Sequence, residues 1–184
     1  MVAMTTTLAA QVAHQADAQP KYPIDVAFTY NAAYSGTSGS QSFWMQGGSA
    51  EVDATLLRGF GLAASFAGLH TGNINASGVA LDLVTATFGP RYAWKPAKGK
   101  YSIFAKALVG EGFGFDSVFP GTSGSSTTAY NLAIEAGGGI DIALRPHLSV
   151  RALDADWLRT QLPNATTNTQ NNLRLGAGVV VRFR

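Results

Sequence analysis

The segment Asn172-Leu-Arg-Leu-Gly-Ala-Gly-Val-Val-Val-Arg-Phe183 alternates large apolar side chains with small or polar ones. Successive side chains of a β-strand point to opposite faces, so this alternation is typical of a strand with one apolar face. The segment is therefore predicted to be a β-strand. Its apolar face comprises Leu173, Leu175, Val179, Val181 and Phe183.

Seven earlier segments repeat the same alternation, and Gly, Ser, Asn and Pro separate them. We place these strands at 25–34, 44–56, 60–69, 80–94, 101–115, 130–144 and 148–160, before the last strand at 172–183. Long polar loops at 35–42, 70–78, 119–128 and 163–171 alternate with short turns at 57–59, 95–100 and 145–146. This order predicts an all-β fold, an eight-stranded antiparallel up-and-down barrel.

The composition indicates that this barrel crosses a membrane. Of the 184 residues only 13% are charged, about half the share of a typical soluble domain. A closed barrel satisfies every backbone group inside a membrane, and its strands need about 9–11 residues. We therefore predict a transmembrane barrel with short periplasmic turns, long outer loops and aromatic girdles. The girdle residues are Tyr22, Tyr34, Trp44, Tyr92, Trp94, Tyr101, Tyr130, Trp157 and Phe183.

By alternation, most charged strand residues point away from the apolar face and into the barrel. They are Glu51, Asp53, Arg91, Lys106, Glu135, Asp141, Arg174 and Arg182. Eight strands leave an interior just wide enough for side chains, and an unpaired buried charge is costly, so we expect these residues to pair across the lumen. Glu111 instead falls on the apolar face. Arg151 and Asp154 point inward together only if a β-bulge separates them.

A soluble barrel of the lipocalin type is the alternative architecture. It would place the apolar face inside and the other face in water. That outer face would then consist of Gly, Thr and Ser with sparse charge, which is too weakly polar for a soluble surface. The sequence therefore favours the membrane barrel.

Three segments carry a family resemblance. The last strand resembles the C-terminal assembly strand of outer-membrane β-barrel proteins, although Arg184 follows the closing aromatic residue. Segments 89–92 and 156–160 resemble those of small OmpA-like barrels that carry an outer membrane protein β-barrel domain. The resemblance covers residues 22–184. It implies a bacterial outer-membrane location, a monomeric or weakly associating barrel, and an assembly signal at Val179, Val181 and Phe183 that the barrel assembly machinery reads.

The first 21 residues have a different composition from the barrel. They are rich in Ala, Thr and Gln and end near Ala16-Asp17-Ala18, which has the small-residue pattern of a signal cleavage site. Residues 1–21 are thus interpreted as a leader, which would be a partial export signal, or as a disordered segment. Residues 22–184 are interpreted as the barrel. We expect no appended periplasmic domain, because the barrel pattern continues to residue 183.

The sequence offers little catalytic or metal-binding chemistry. Cys is absent, and the histidines His14, His70 and His147 lack metal-ligand spacing. His147 and Ser149 have the His-x-Ser spacing of lipid A deacylases, in which the His activates the Ser. They follow the turn at Pro146, on the periplasmic side, whereas the acyl chains that such an enzyme attacks lie in the outer leaflet. Asp154 and Asp156 are interpreted as ion-pair partners of Arg151, Arg174 or Arg91.

Three functions remain open from the sequence. The first, and the one favoured, is a structural or surface-interaction barrel that displays four polar loops, embedded among outer-membrane lipids and lipopolysaccharide. The second is a small passive pore, and the third is a lipid A-modifying enzyme, which the position of His147 disfavours. We expect no catalysis, no cofactor and no metal, and the scattered Lys and Arg residues predict no nucleic-acid partner.

Overall fold

The chain is described by a computed structural model that covers residues 22–183, apart from 38–40, 75–76, 98, 122–123 and 165–166. The leader assigned to residues 1–21 lies outside the described residues. No helix of the described residues is long and apolar enough to cross a membrane.

The described residues form ten β-strands. They are β1 (Ile24–Thr37), β2 (Gln41–Leu57), β3 (Phe60–Thr71), β4 (Leu81–Trp94), β5 (Tyr101–Phe115), β6 (Phe119–Gly121), β7 (Gly124–Ser126), β8 (Ala129–Arg145), β9 (Leu148–Thr160) and β10 (Gln170–Phe183). Eight of them form a closed barrel, and β6 and β7 form a small separate hairpin in the connection from β5 to β8.

The barrel is an antiparallel meander that closes between its first and last strands. Each barrel strand pairs with the next one along the chain, with β5 beside β8, and β10 returns to β1. The register of this closure runs without interruption from Ile24 opposite Phe183 to Thr37 opposite Gln170. A closed sheet leaves no unpaired edge, so the predicted eight-stranded up-and-down barrel is confirmed.

The two faces of the barrel have the polarity that a lipid environment requires. Apolar residues such as Phe28, Phe66 and Phe88 are more than half exposed on the outside, whereas Asp53 and Arg91 are buried inside. All nine predicted girdle residues are exposed, between 40% and 74%. The soluble alternative requires the reverse arrangement, so it is excluded.

Strand bounds agree with the sequence patterns to within one residue at the short-turn end and differ more at the long-loop end. β5 and β9 have the predicted bounds. In contrast, most of the loop predicted at 35–42 is strand, because β1 and β2 stay paired as far as Thr37 and Gln41. The hairpin β6–β7 likewise occupies part of the loop predicted at 119–128. These polar segments pair through their backbones, which hydrophobic alternation does not report.

A β-bulge interrupts β9 between Arg151 and Asp154. Opposite β10, Arg151 faces Gly178 and Asp154 faces Gly176, so two residues of β9 oppose Ala177 alone. The pairing of β9 with β8 shifts at the same point. Because of this extra residue, Arg151 and Asp154 both point inward and are buried.

Glycines make room inside the barrel where large side chains meet the wall. A Cβ atom on Gly137 would lie 2.1 Å from the Asp156 carboxylate. A Cβ on Gly114 would lie 2.4 Å from the ring of Phe119, which folds in from β6. The small residues on the inner face are therefore part of how the interior is packed.

Candidate functional site

An ion pair closes the short-turn end of the lumen. Arg182 donates two hydrogen bonds to the Asp25 carboxylate, with N–O distances of 2.7 and 2.6 Å. The two residues face each other across the β1–β10 closure. This bidentate pair stands apart from the other lumen charges and joins the first strand to the last.

The next charges inward are arranged around two guanidinium groups. Arg151 donates to Asp141 at 2.9 Å and to Glu51 at 2.7 Å. Arg91 lies 3.2 Å from Asp53. The ring of Phe104 is held at 4.3 and 4.4 Å from the guanidinium carbons of Arg91 and Arg151. The buried Phe104 ring therefore makes cation–π contacts with both arginines, which the alternation pattern does not predict.

Lys106 is the centre of the network. Its Nζ lies 2.7 Å from Glu51, 3.1 Å from Glu135, 3.3 Å from Asp156 and 3.4 Å from Asp154. The lysine and all four carboxylates are buried. One ammonium group therefore holds together carboxylates from strands β2, β8 and β9.

Arg174 completes the network on the side nearer the long loops. It donates to Glu135 and Asp156, both at 2.7 Å. We call the ten buried residues of this network the charge layer: Glu51, Asp53, Arg91, Lys106, Glu135, Asp141, Arg151, Asp154, Asp156 and Arg174. The charge layer contains six carboxylates and four cations, so its formal charge is −2 before any proton is bound.

Seven of the eight lumen residues proposed from the sequence lie in this charge layer, and Arg182 lies apart with Asp25. The sequence-based set omitted Asp25, Arg151, Asp154 and Asp156. Strict alternation fails at the bulge, so it does not assign both Arg151 and Asp154 to the inner face. Asp156 pairs with Arg174, and Asp154 with Arg151 at 3.2 Å, which are two of the ion pairs anticipated for these aspartates.

Above the charge layer, the long-loop end of the lumen is filled with apolar side chains that the sequence reading did not anticipate. Ala33, Met45, Leu69 and Leu158 point inward from the strand ends, and Phe119 covers them from β6. We call this cluster the outer plug: Ala33, Phe43, Met45, Leu69, Leu83, Phe119, Ala133, Leu158 and Leu162. Leu158 and Met45 are fully buried, so the outer plug separates the charge layer from the outside.

On the outer wall, Glu111 lies in an open groove of about 1180 Å³. It is exposed on the apolar face, in a continuous stretch of the register opposite Ala86 on β4 and Leu132 on β8. The side chain therefore faces the lipid as its sequence position indicated, and no bulge turns it away. Tyr130 and Val109 line the same groove.

The histidines do not form a catalytic site in the described part of the chain. The Nδ1 atom of His147 lies 3.0 Å from the backbone carbonyl of Arg182, and no hydrogen bond joins His147 to Ser149. Ser149 is buried in the short-turn end of the lumen, whereas His147 is exposed. His70 pairs with Asp82 at 2.6 Å on the outer surface. No group of three His, Asp or Glu residues in the described part could hold a metal ion.

The closed barrel, its apolar outside and its charged inside agree with one family. The profile of the outer membrane protein beta-barrel domain matches residues 1–183. The chain belongs to this outer-membrane β-barrel family. It is therefore a bacterial outer-membrane protein, and in such barrels the short turns face the periplasm and the long loops face outward. The predicted family, fold and location are confirmed.

Solved structures show the same architecture. Neisserial surface protein A superimposes with a TM-score of 0.66 at 14% identity, covering 87% of this chain and 97% of that one. The attachment invasion locus protein Ail of Yersinia pestis gives a TM-score of 0.60 at 17% identity, covering 88% of this chain and 99% of that one. At these identities the likeness shows the fold alone. No curated protein sequence matches the chain.

β10 is the strand that closes the barrel against β1. Val179 and Phe183 are exposed on the lipid-facing side, and Val181 lies between them on the same face. On β1, Val179 pairs with Phe28, Val181 with Val26, and Phe183 with Ile24. Their recognition by the assembly machinery remains a prediction.

Proposed function

We propose that this outer-membrane barrel is a surface-interaction protein: a rigid, closed anchor that displays four polar loops outside the cell. The observation that supports this proposal best is the filled lumen. The charge layer and the outer plug include Arg151, Glu135 and Leu158, which are fully buried with 0% exposure. If nothing passes through the centre of the barrel, the loops are the surface on which a function can be carried out.

The filled lumen counts against the passive-pore alternative. Ion conduction requires a hydrated path, and two buried layers of different chemistry lie across it. Rearranging the ion pairs alone would leave the outer plug in place. Opening would therefore require both layers to move together.

The loops favour an uncharged, hydrogen-bonding partner. The four connections at the long-loop end, residues 38–40, 72–80, 116–128 and 161–169, contain no Lys or Arg, and Asp116 is their one acidic residue. One related structure is the Ail protein in complex with the heparin analogue sucrose octasulfate, at a TM-score of 0.59 and 17% identity. A polysulfated ligand of that kind needs cations, which these loop segments lack. We therefore propose neutral glycans as the class of partner.

The proposal extends to activity and to the membrane environment. His147 makes its side-chain hydrogen bond to the Arg182 carbonyl and not to Ser149, which supports a non-enzymatic role. We further propose that lipopolysaccharide surrounds the outer half of the barrel, and that the barrel assembly machinery inserts the chain through the β10 pattern. A monomer needs no partner to complete the closed sheet.

The test is a glycan array probed with the purified barrel in lipid nanodiscs. We expect binding to neutral oligosaccharides and none to sulfated ones. In a loop variant, residues 121–126 are replaced by Asn-Gly, which retains Phe119 and its contacts in the outer plug. This variant should fold, as judged by a shift between unboiled and boiled samples on SDS gels, and should bind more weakly.

Two results would contradict the proposal. Full binding by a variant with all four loops shortened would place the interaction elsewhere on the barrel. Conductance steps of the intact protein in planar bilayers would instead support the pore. A matched control exchanges Ser125 for Thr within β7, which should alter neither folding nor binding.

A further inference from the structure

The short-turn end of the barrel carries a set of exposed cations that form no salt bridge within the described part of the chain. Arg58, Lys95, Lys100 and Arg145 are exposed there, and none of them forms a salt bridge with any described residue. Lys95 also interacts electrostatically with Asp25 and Asp141 at the mouth of the lumen, without a salt bridge to either. Asp25, a carboxylate at the same end, is already engaged with Arg182. The exposed cations are therefore available to a partner outside the protein.

These cations lie next to residues that mark the membrane boundary. Each one is adjacent in sequence to an exposed apolar residue of the lipid-facing wall. The pairs are Leu57–Arg58, Trp94–Lys95, Lys100–Tyr101 and Leu144–Arg145. Aromatic girdle residues mark the boundary between lipid chains and headgroups, so the neighbouring cations lie at headgroup level. In an outer-membrane barrel this end faces the periplasm.

Two of the cations share one hollow of about 240 Å³. Arg58 and Lys95 bring the charge, and Tyr92 and Trp94 form an aromatic wall. We call this site the rim hollow, and Thr55, Arg58, Gly59, Tyr92, Trp94 and Lys95 line it. Its shape is fixed by the backbone, because the Ala93 N–H donates to the Gly59 carbonyl at 2.8 Å.

The residue at the tip of the turn is unusual for its conformation. Arg58 and Gly59 have φ angles of 48° and 90°, the left-handed values of a two-residue hairpin turn. Such turns favour Asn or Asp before Gly, and Arg is disfavoured there. Backbone strain of this kind is characteristic of residues whose side chain has a function. Here the side chain lines the rim hollow.

We propose that the rim hollow binds the headgroup of an anionic phospholipid in the periplasmic leaflet. The phosphate would accept charge-assisted hydrogen bonds from Arg58 and Lys95. The acyl chains would follow the apolar wall beside Trp94 and Phe60, whose ring packs at 4.7 Å on that of Tyr92. The charge, the aromatic wall and the depth at the membrane boundary all match a lipid headgroup.

Trp94 reports directly on occupancy, because it lines the hollow. The chain has three tryptophans, and the other two, Trp44 and Trp157, lie toward the long-loop ends of β2 and β9. The test uses a Trp44→Phe/Trp157→Phe background refolded into phosphatidylcholine vesicles. A small, equal fraction of brominated phosphatidylglycerol or brominated phosphatidylcholine is added, and the quenching of Trp94 fluorescence is compared.

We expect brominated phosphatidylglycerol to quench Trp94 more strongly than brominated phosphatidylcholine. The quenching gives the ratio of the binding constant for phosphatidylglycerol to that for phosphatidylcholine. This ratio should fall by roughly fivefold in Arg58→Asn and again in Lys95→Gln, each of which removes one cation. Arg58→Asn places a favoured residue in the turn, so this variant should fold at least as well as the parent. High salt should reduce the difference between the two lipids, because the site is at the surface.

Arg145→Gln serves as the matched control. It removes a cation from the same rim, at the end of β8, and should leave the Trp94 ratio unchanged. Equal quenching by the two lipids would overturn the proposal. So would an unchanged ratio in the Arg58→Asn/Lys95→Gln double variant. An equal loss in Arg145→Gln would show attraction by the whole rim and would also overturn a site at the hollow.

Discussion

Lys106 shows at the scale of one residue how the interior is held together. Its Nζ serves four buried carboxylates, so removing its charge leaves more acid in the lumen than the three arginines of the charge layer can pair. We expect Lys106→Met, which keeps most of the side-chain volume, to lower the free energy of unfolding by about 3–5 kcal/mol. Urea unfolding of the refolded protein in phospholipid vesicles measures this change.

The control for Lys106 is Arg182→Met. Arg182 forms a salt bridge with one described residue, Asp25, and is partly exposed at the periplasmic mouth, so its loss should cost less. A double variant, Lys106→Met with Glu51→Gln, should recover part of the loss because one unpaired charge disappears. If Lys106→Met unfolds at the same urea concentration as the parent, the carboxylates do not depend on the lysine.

Glu111 is the residue that breaks the polarity of the outer wall. A carboxylate on the lipid-facing surface is unfavourable, by an amount that depends on its depth. We expect Glu111→Leu to raise the free energy of unfolding by about 1 kcal/mol, measured by the same urea titration. Glu135→Leu makes the same chemical change on the inner face, where it removes a partner of Lys106 and Arg174, and should destabilise. A loss of stability in Glu111→Leu would show that the carboxylate has a partner in the membrane.

At the scale of the element, the bulge in β9 decides which face each side chain takes. Deleting Ala152 removes the extra residue and leaves Arg151, Leu153 and Asp154 in simple alternation, so both charges still point inward. We expect this deletion to fold and to cost only about 1–2 kcal/mol. Deleting Ala155 instead moves Trp157 to the inside and Leu158 to the outside, and should abolish folding. Heat modifiability on SDS gels distinguishes the two, and failure of both deletions would show that the bulge itself is required.

The same element shows what the sequence could and could not predict. Alternation predicted the bounds of β5 and β9, and it placed seven charge-layer residues on the inner face. It could not assign Arg151 and Asp154, because a bulge changes the period locally. It also could not give the partners across the lumen, such as Arg151 with Glu51, 100 residues apart, since these depend on closure of the sheet.

The outer ends of the strands were harder to predict for a different reason. Beyond the membrane, neither face of a hairpin is in contact with lipid, so β1 and β2 continue through Ser35 and Ser42 without an apolar pattern. The outer plug was missed because apolar residues such as Met45 and Leu69 sit on the face that is charged deeper in the barrel. Alternation identifies a face, but the chemistry of that face changes with depth.

At the scale of the whole molecule, charge is arranged in layers along the barrel axis. The outer loops contain no Lys or Arg, the outer plug is apolar, the charge layer has a formal excess of two carboxylates, and the periplasmic rim carries exposed cations. This order separates the functions that we propose. Loops contact partners outside, the interior provides rigidity, and the rim contacts the periplasmic leaflet.

A closed interior makes a definite prediction for electrical recordings. Ions would have to displace both the apolar outer plug and the paired charges below it, and dehydrating an ion in either layer is costly. We expect the protein in planar bilayers to give no conductance steps under conditions where a general porin, as the positive control, conducts. Phe119→Ala should also stay silent, because the charge layer still blocks the lumen. Regular steps in the parent protein that change in Lys106→Ala would mean that the ion pairs rearrange to open a path, and the barrel would then be a pore.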